Sequence, residues 1–434
     1  VVLVGCYRVP SDLSCKIACE QGCPSGMTCI DGYCTSGDAC DCGGLGKACC
    51  TRAASCATGS YCSAGTCLSC VSEVALGRRH SCIIEHDGTV WCAGNNDSQQ
   101  LGNAGPASDT FVQVSDAAGP ITDATAVAAG RTHSCALRAG GHVWCWGGNG
   151  EGELGDGTFT NSSTAVAVMT DTGQQLADAV ELGIDQQFSC ARVSGGEVRC
   201  WGRNDYGQLG DGTLTVHEHA VQVWAGTQAL TGATSLSVGG DHACAIVNGQ
   251  PWCWGANGDG RNGDGTTTNS GEPVMFGSSS ALAVAAGKLH SCALSTDGTI
   301  ECAGSAWMNR LGDGRPMTNS STPVTVLAAP NGAPFARART IAAGGVSCVV
   351  DTAGAVACWG NSPHGQTGDD GGSEFPSPVA LPITADRVIA HWAHACAHGT
   401  DGSWWCWGRD EQGELGDGAH ANVVQPIELA ASCN

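Results

Sequence analysis

The residues with the most chemistry to offer in this chain are its cysteines, 29 among 434 residues. Fourteen of them fall into seven pairs: Cys82 with Cys92, Cys135 with Cys145, Cys190 with Cys200, Cys244 with Cys253, Cys292 with Cys302, Cys348 with Cys358, and Cys396 with Cys406. Two chemistries suit thiols in such numbers, zinc coordination in a reducing compartment and disulfide bonding in an oxidising one. The intervals decide between them. Cys82 and Cys92 are centred on Asp87, so a three-residue loop ending at Gly88 sets them opposite each other on a hairpin. The same count holds for every pair but one. Cys244 and Cys253 are one residue closer, and there Asn248-Gly249 supplies a two-residue type I′ turn that keeps them face to face. A cross-strand disulfide requires that compensation; a zinc site does not. Each short bridged loop is worth about 2–3 kcal/mol.

Other reactive types recur without converging. His80, His133, His242, His290 and His394 occupy one repeat position, which suits structural hydrogen bonding better than metal ligation. His217-Glu218-His219 and the group His391, His394, His398 lack the companions of a zinc motif. The Gly-Asp-Gly loops carry Asp156, Asp211, Asp264, Asp313 and Asp417. Calcium needs six to eight converging oxygens, so one Asp per unit is better explained as turn chemistry. No Gly-x-Ser-x-Gly elbow or phosphate loop occurs, so neither a catalytic residue, a metal site nor a cofactor is expected. Off-pattern residues are the better functional candidates, because repeats fix the scaffold and deviations are free to specialise. In Ala306-Trp307-Met308-Asn309-Arg310 an aromatic stands beside an Arg where other units have Asn-x-x-Gly-Gln, and these types are enriched at binding hot spots. Trp307, Met308, Arg310 and Trp224 are therefore candidate binding residues, with Arg78-Arg79 and Trp392 behind them.

The elements that would position these groups follow from the spacing. First cysteines recur every 48–56 residues from Cys82 to Cys396, the length of one four-stranded propeller blade. The fold class expected is all-β, a seven-bladed β-propeller over residues 71–434, preceded by a small disulfide-rich module over residues 1–70. Nine of 13 tryptophans flank the second cysteines (Trp91, Trp144, Trp146, Trp201, Trp252, Trp254, Trp359, Trp405, Trp407), where alternation points them away from the cysteine face and into inter-blade packing. Val71-Ser72-Glu73-Val74-Ala75-Leu76 and Gln425-Pro426-Ile427-Glu428-Leu429 are strand-like segments at opposite ends. They are expected to share one blade and close the ring, with Cys70 and Cys433 bonded beside them.

Residues 1–70 hold 14 cysteines and little apolar mass, so disulfides must stand in for a core. Leu3-Val4-Gly5-Cys6 resembles the lipobox of bacterial lipoproteins, which makes Cys6 a candidate for lipidation. Of the net charge of −22, residues 71–434 contribute 15 basic against 36 acidic side chains. Such a surface repels phosphate backbones and anionic membranes, which excludes nucleic acid as a partner and leaves a lipid anchor as the membrane route.

Gly130-Arg131-Thr132-His133-Ser134-Cys135-Ala136-Leu137, Val143-Trp144-Cys145-Trp146-Gly147 and Gly202-Arg203-Asn204-Asp205-Tyr206-Gly207-Gln208-Leu209-Gly210-Asp211-Gly212-Thr213 together resemble the regulator of chromosome condensation repeat, in a bacterial extracytoplasmic form with paired cysteines. The resemblance implies a seven-bladed propeller that binds proteins. The expected function is a secreted or surface-anchored, non-catalytic binding propeller whose partner is a protein or glycan. A secreted enzyme inhibitor similar to the β-lactamase inhibitory propeller, or a self-associating structural subunit, are the alternatives. Departures from the repeat include Ala93 and Ala303 in place of Trp, Val346 in place of His and His391 in place of Gly.

Overall fold

The computed structural model describes residues 66–315, 317–369 and 374–429, with short strands at 6–7, 16–18, 28–30, 33–35 and 60–63. Among these residues the architecture is all-β and organised as seven consecutive blades. Blade two shows the plan. Its strands Ala124–Ala129, His133–Arg138, His142–Gly147 and Ser162–Ala167 pair antiparallel in chain order. The innermost strands of all seven blades (Val71–Leu76, Ala124–Ala129, Ala179–Asp185, Ala233–Gly239, Ala281–Ala286, Ala338–Ala343 and the end of Glu374–Ala390) line a central channel of about 350 Å³. That last strand runs from the outer edge of blade six into the centre of blade seven, joining the two sheets.

Register bears out the cysteine argument. In every hairpin the two cysteines are direct partners. Cys82 is bonded to Cys92 in blade one, Cys135 to Cys145 in blade two and Cys190 to Cys200 in blade three. Blade four bonds Cys244 to Cys253 across its shorter turn. Cys292 is bonded to Cys302, Cys348 to Cys358 and Cys396 to Cys406 in the last three blades. Their Cα atoms are 4.0–4.1 Å apart throughout. Asn248 and Gly249 have φ of 52° and 77°, both left-handed as a type I′ turn demands. Seven buried disulfides point to an oxidising, extracytoplasmic environment.

The ring closes differently from the expectation. Val71–Leu76 pairs with His80–Glu85, and Val423–Glu428 pairs with Trp404–Gly408, so the terminal strands lie in separate sheets. The reason is phase: the repeat starts at an innermost strand and ends at an outermost one, so no blade is left incomplete. Closure is made by side chains and by one short backbone contact, where Gly418 N–H donates to the Asp109 carbonyl at 2.9 Å beside the Thr110–Asp417 bridge. Val71, Val74, Leu76 and Ile83 of blade one pack with Cys396, Cys406, Trp404 and Leu415 of blade seven, and Arg387 forms an ion pair with Glu73 at 2.9 Å. Cys70 is disulfide-bonded, while Cys433, its expected partner, lies outside the described residues, as do Val1 to Gly5.

Between blades the packing alternates as expected. In five blades the disulfide lies toward the next blade's buried tryptophan, beginning with Cys82 and Cys92 against Trp146. Cys135 and Cys145 share a core with Trp201, Cys190 and Cys200 with Trp254, Cys292 and Cys302 with Trp359, and Cys348 and Cys358 with Trp407. Trp146, Trp201, Trp254, Trp359 and Trp407 are fully buried, and each indole N–H donates to a backbone carbonyl of the preceding blade at 2.8–3.0 Å. The two alanine substitutions are compensated. A Cβ on Gly155 would meet Trp201, whereas at the equivalent Gly263 and Gly416 it would meet Phe276 and Phe111. Those phenylalanines occupy the space left beside Ala303 and Ala93.

Candidate functional site

The recurring histidines are buried, and each reaches the next blade. Nε2 lies near a serine Oγ in five junctions: His80 with Ser134 at 2.7 Å, His133 with Ser189 at 2.8 Å, His242 with Ser291 and His290 with Ser347 at 2.7 Å, His394 with Ser81 at 3.1 Å. Ser134 Oγ donates to the Gln100 carbonyl and so accepts from His80, which fixes the Nε2–H tautomer there. Phe188 and Val346 interrupt the series, and the residues facing them in the next blade are Ala243 and Ala395. Each polar pair is replaced as a pair. Burial drives His80, His290 and His394 down to about 3 and His133 to about 4, so these imidazoles are neutral.

The other polar candidates resolve into local structure. Asn149, Asn204 and Asn257 donate from Nδ2 to Asp156, Asp211 and Asp264 at 3.1–3.2 Å, tying each Gly-Asp-Gly loop to its own blade. His217 and His219 pack edge to face with centroids 6.1 Å apart, His217 pairing with Asp211 and His219 lying 3.8 Å from Glu218, while His398 pairs with Asp386 and His391 with Asp185.

The blade-five loop behaves differently. Trp307 is 50% exposed, the start of a single 3-10 turn over Trp307–Asn309. Met308 has φ of 59°, a left-handed conformation that costs a non-glycine residue about 1–3 kcal/mol and persists where its surroundings impose it. Arg310 imposes it. Its Nη1 donates to the Trp307 carbonyl at 3.0 Å and its Nε to the Gly345 carbonyl of blade six at 3.3 Å. Arg310 itself is 2% exposed, so it positions the loop and is not the surface contact anticipated from its sequence. Burial also lowers its pKa.

Trp307, Met308 and Arg310 line a pocket of about 150 Å³ with Lys288, His364 and Trp392. Trp392 comes from blade seven, and two cations lie against its ring: Lys288 Nζ at 3.3 Å and the Arg78 guanidinium at 4.3 Å from the centroid. The close approach depends on blade six, where a Cβ on Gly345 would strike the Trp392 carbonyl. Beneath this cluster His391 reaches from blade seven to Asp185 of blade three at 3.4 Å, spanning the channel mouth. Burial opposes charge on that imidazole, but Asp185 outweighs it and raises the pKa. Lys288 is lowered to about 8, first by burial and then by Arg310 and Arg78.

Trp224, 40% exposed, is elsewhere. It forms a two-residue strand beyond the outermost strand of blade three and does not line this pocket. Lys288 and His364 escaped the sequence argument. The signal for Lys288 was one repeat position, two residues before the His, occupied by Arg78, Arg131, Gln186, Gly240, Lys288, Gly344 and Trp392.

Seven blades of four-stranded sheet around a channel, with indole and imidazole contacts at the junctions, define an RCC1-like β-propeller. Residues 71–100, 124–153 and 186–208 match the family model described as "Regulator of chromosome condensation (RCC1) repeat", and residues 87–137 match a second model of that description. The chain is 27% identical over 248 residues to human "Probable E3 ubiquitin-protein ligase HERC6", across 55% of this chain and 24% of that protein. It is 28% identical to the Arabidopsis thaliana mitochondrial RCC1 domain-containing protein RUG3, across 67% of this chain and 66% of that one. The match thus spans about a quarter of HERC6 and about two thirds of RUG3. Yeast RCC1 (Prp20), solved bound to Kap60, superposes with a TM-score of 0.65 at 20% identity, covering 83% of this chain and 85% of that one.

Proposed function

We propose that this propeller is a non-catalytic binding protein of an oxidising compartment, and that it engages a protein partner through the channel-mouth face around Trp307, Met308 and Trp392. The observation that carries this reading is the blade-five loop. A half-exposed tryptophan is held beside a left-handed methionine by a buried arginine, and no other blade places an aromatic at that loop position. Strain of that kind is retained where a surface must be presented in one geometry. Yeast RCC1 (Prp20), which shares the architecture, was solved bound to a protein, Kap60. Lipidation at Cys6 would tether the propeller to a membrane.

Affinity capture with the purified chain tests the reading. Recovery of a partner by wild type and Trp224→Ala, but not by Trp307→Ala, is the expected result. Equal recovery by all three would remove the face from the account.

A further inference from the structure

We propose that the channel mouth is a receptor for a carboxylate-bearing segment of a partner protein, an acidic peptide rather than a phosphate polymer. The inference rests on the reading of this face as the interaction surface and assigns the chemistry of what it binds.

The argument is a distribution of charge. Acidic residues outnumber basic ones in the propeller by 36 to 15, so a cation placed at random would find a carboxylate. Among the described residues, Arg78, Arg79, Arg131, Lys288, Arg310 and Arg339 form no ion pair with one. All but Arg339 stand at the same end of the channel. Three acids near these cations are already engaged: Asp185 by His391, Asp241 by Arg203 at 3.5 Å, Asp259 by Arg261 at 2.7 Å. Arg78 Nε is buried without a hydrogen-bond partner, and Lys288 and Arg78 both lie against the Trp392 ring. Burial is the first cause of the lowered pKa of both, and neighbouring cations add to it, Arg310 and Arg78 at Lys288, Arg131 and Arg79 at Arg78. An anion between them would relieve the repulsion at a site with aromatic and methionine walls.

Size and surroundings narrow the ligand. A cavity of about 150 Å³ admits a single side-chain-sized group. The strongly negative remainder of the propeller opposes any extended polyanion, while a short acidic segment need only enter the mouth.

Calorimetric titration of the full chain with an acetylated, amidated hexaglutamate peptide at low salt tests this directly. Hexaglutamine and inorganic phosphate serve as comparison ligands. Wild type and Arg339→Gln are expected to bind hexaglutamate alike, with Lys288→Gln and Arg78→Gln each weakening it about tenfold and the double variant silent, since each removes about one charge-assisted contact. Unchanged circular dichroism in each variant shows that the fold persists. Absence of binding, equal binding by the variants, or phosphate displacing the peptide would overturn the assignment. Were hexaglutamate to fail while Trp307-dependent capture persisted, the carboxylate assignment alone would fall; loss of Trp307 dependence alone would strike the interaction face.

Discussion

His394 Nε2 and Ser81 Oγ stand 3.1 Å apart across 313 residues of chain, and this contact joins the last blade to the first. It repeats the His–Ser contact of four other junctions, while the two remaining junctions carry Phe188 with Ala243 and Val346 with Ala395. Either both partners are polar or neither is. Buried polar groups behave this way because one left without its partner costs about 1–3 kcal/mol, whereas replacing both is nearly neutral.

That rule gives the first expectation. Ser347→Ala should strand the buried His290 and lower the thermal midpoint, as His290→Phe should by stranding Ser347. The double variant, which copies the Phe188–Ala243 junction, should recover most of the loss. A double-mutant cycle with no coupling would show that the contact is incidental.

Acid should act on the same junctions. An imidazole in the unfolded chain titrates near 6.5, but burial holds His80, His290 and His394 at about 3 and His133 at about 4. Between those values the unfolded chain binds the extra protons, so the stability they confer is full above about pH 6.5 and drains away as pH falls toward the folded values. His391, raised by Asp185 against burial, and Asp410, raised by burial to about 7, act in the opposite sense. Denaturation midpoints measured from pH 7.5 to 4.5 should therefore fall less steeply in His290→Phe/Ser347→Ala than in wild type. Parallel slopes would contradict it.

The phenylalanine fillers offer a packing test. Phe276 is buried beside Ala303, where five other blades place a tryptophan against their neighbour. Phe276→Ala should cost about 3–5 kcal/mol through the cavity it leaves. Adding Ala303→Trp should restore part of that in thermal melts, although Ala303→Trp alone overfills the site. Additive losses would mean that the two residues do not share a space.

The fourteen cysteines of the hairpins are 0–1% exposed, so a reducing thiolate cannot reach them without local opening. Differential alkylation should find these pairs closed after dithiothreitol treatment in native buffer and open once denaturant is added. Equal reduction in both conditions would contradict the buried placement.

What could be read from sequence was whatever repeats. Cysteine intervals located the hairpins, and the Asn248-Gly249 turn set the register of Cys244 and Cys253 because strand pairing leaves no freedom there. The repeat also marked which tryptophans pack between blades. Closure was misjudged, since strand-like segments at both chain ends look like halves of one blade until the pairing partners are known. The site was legible in part. Trp307 and Trp392 stood out as departures, yet their meeting at one pocket depends on blades five and seven facing a glycine-thinned blade six. Arg310 looked like a surface contact because sequence does not show that two backbone carbonyls claim its guanidinium.

Photo-crosslinking from a benzophenone amino acid at position 307, with position 224 in parallel, tests the central claim that this propeller binds through its channel mouth. In the chain's own compartment, adducts of one defined mass from position 307 and none from position 224 are the predicted result. Adducts from position 224 alone, or from neither, would contradict the account.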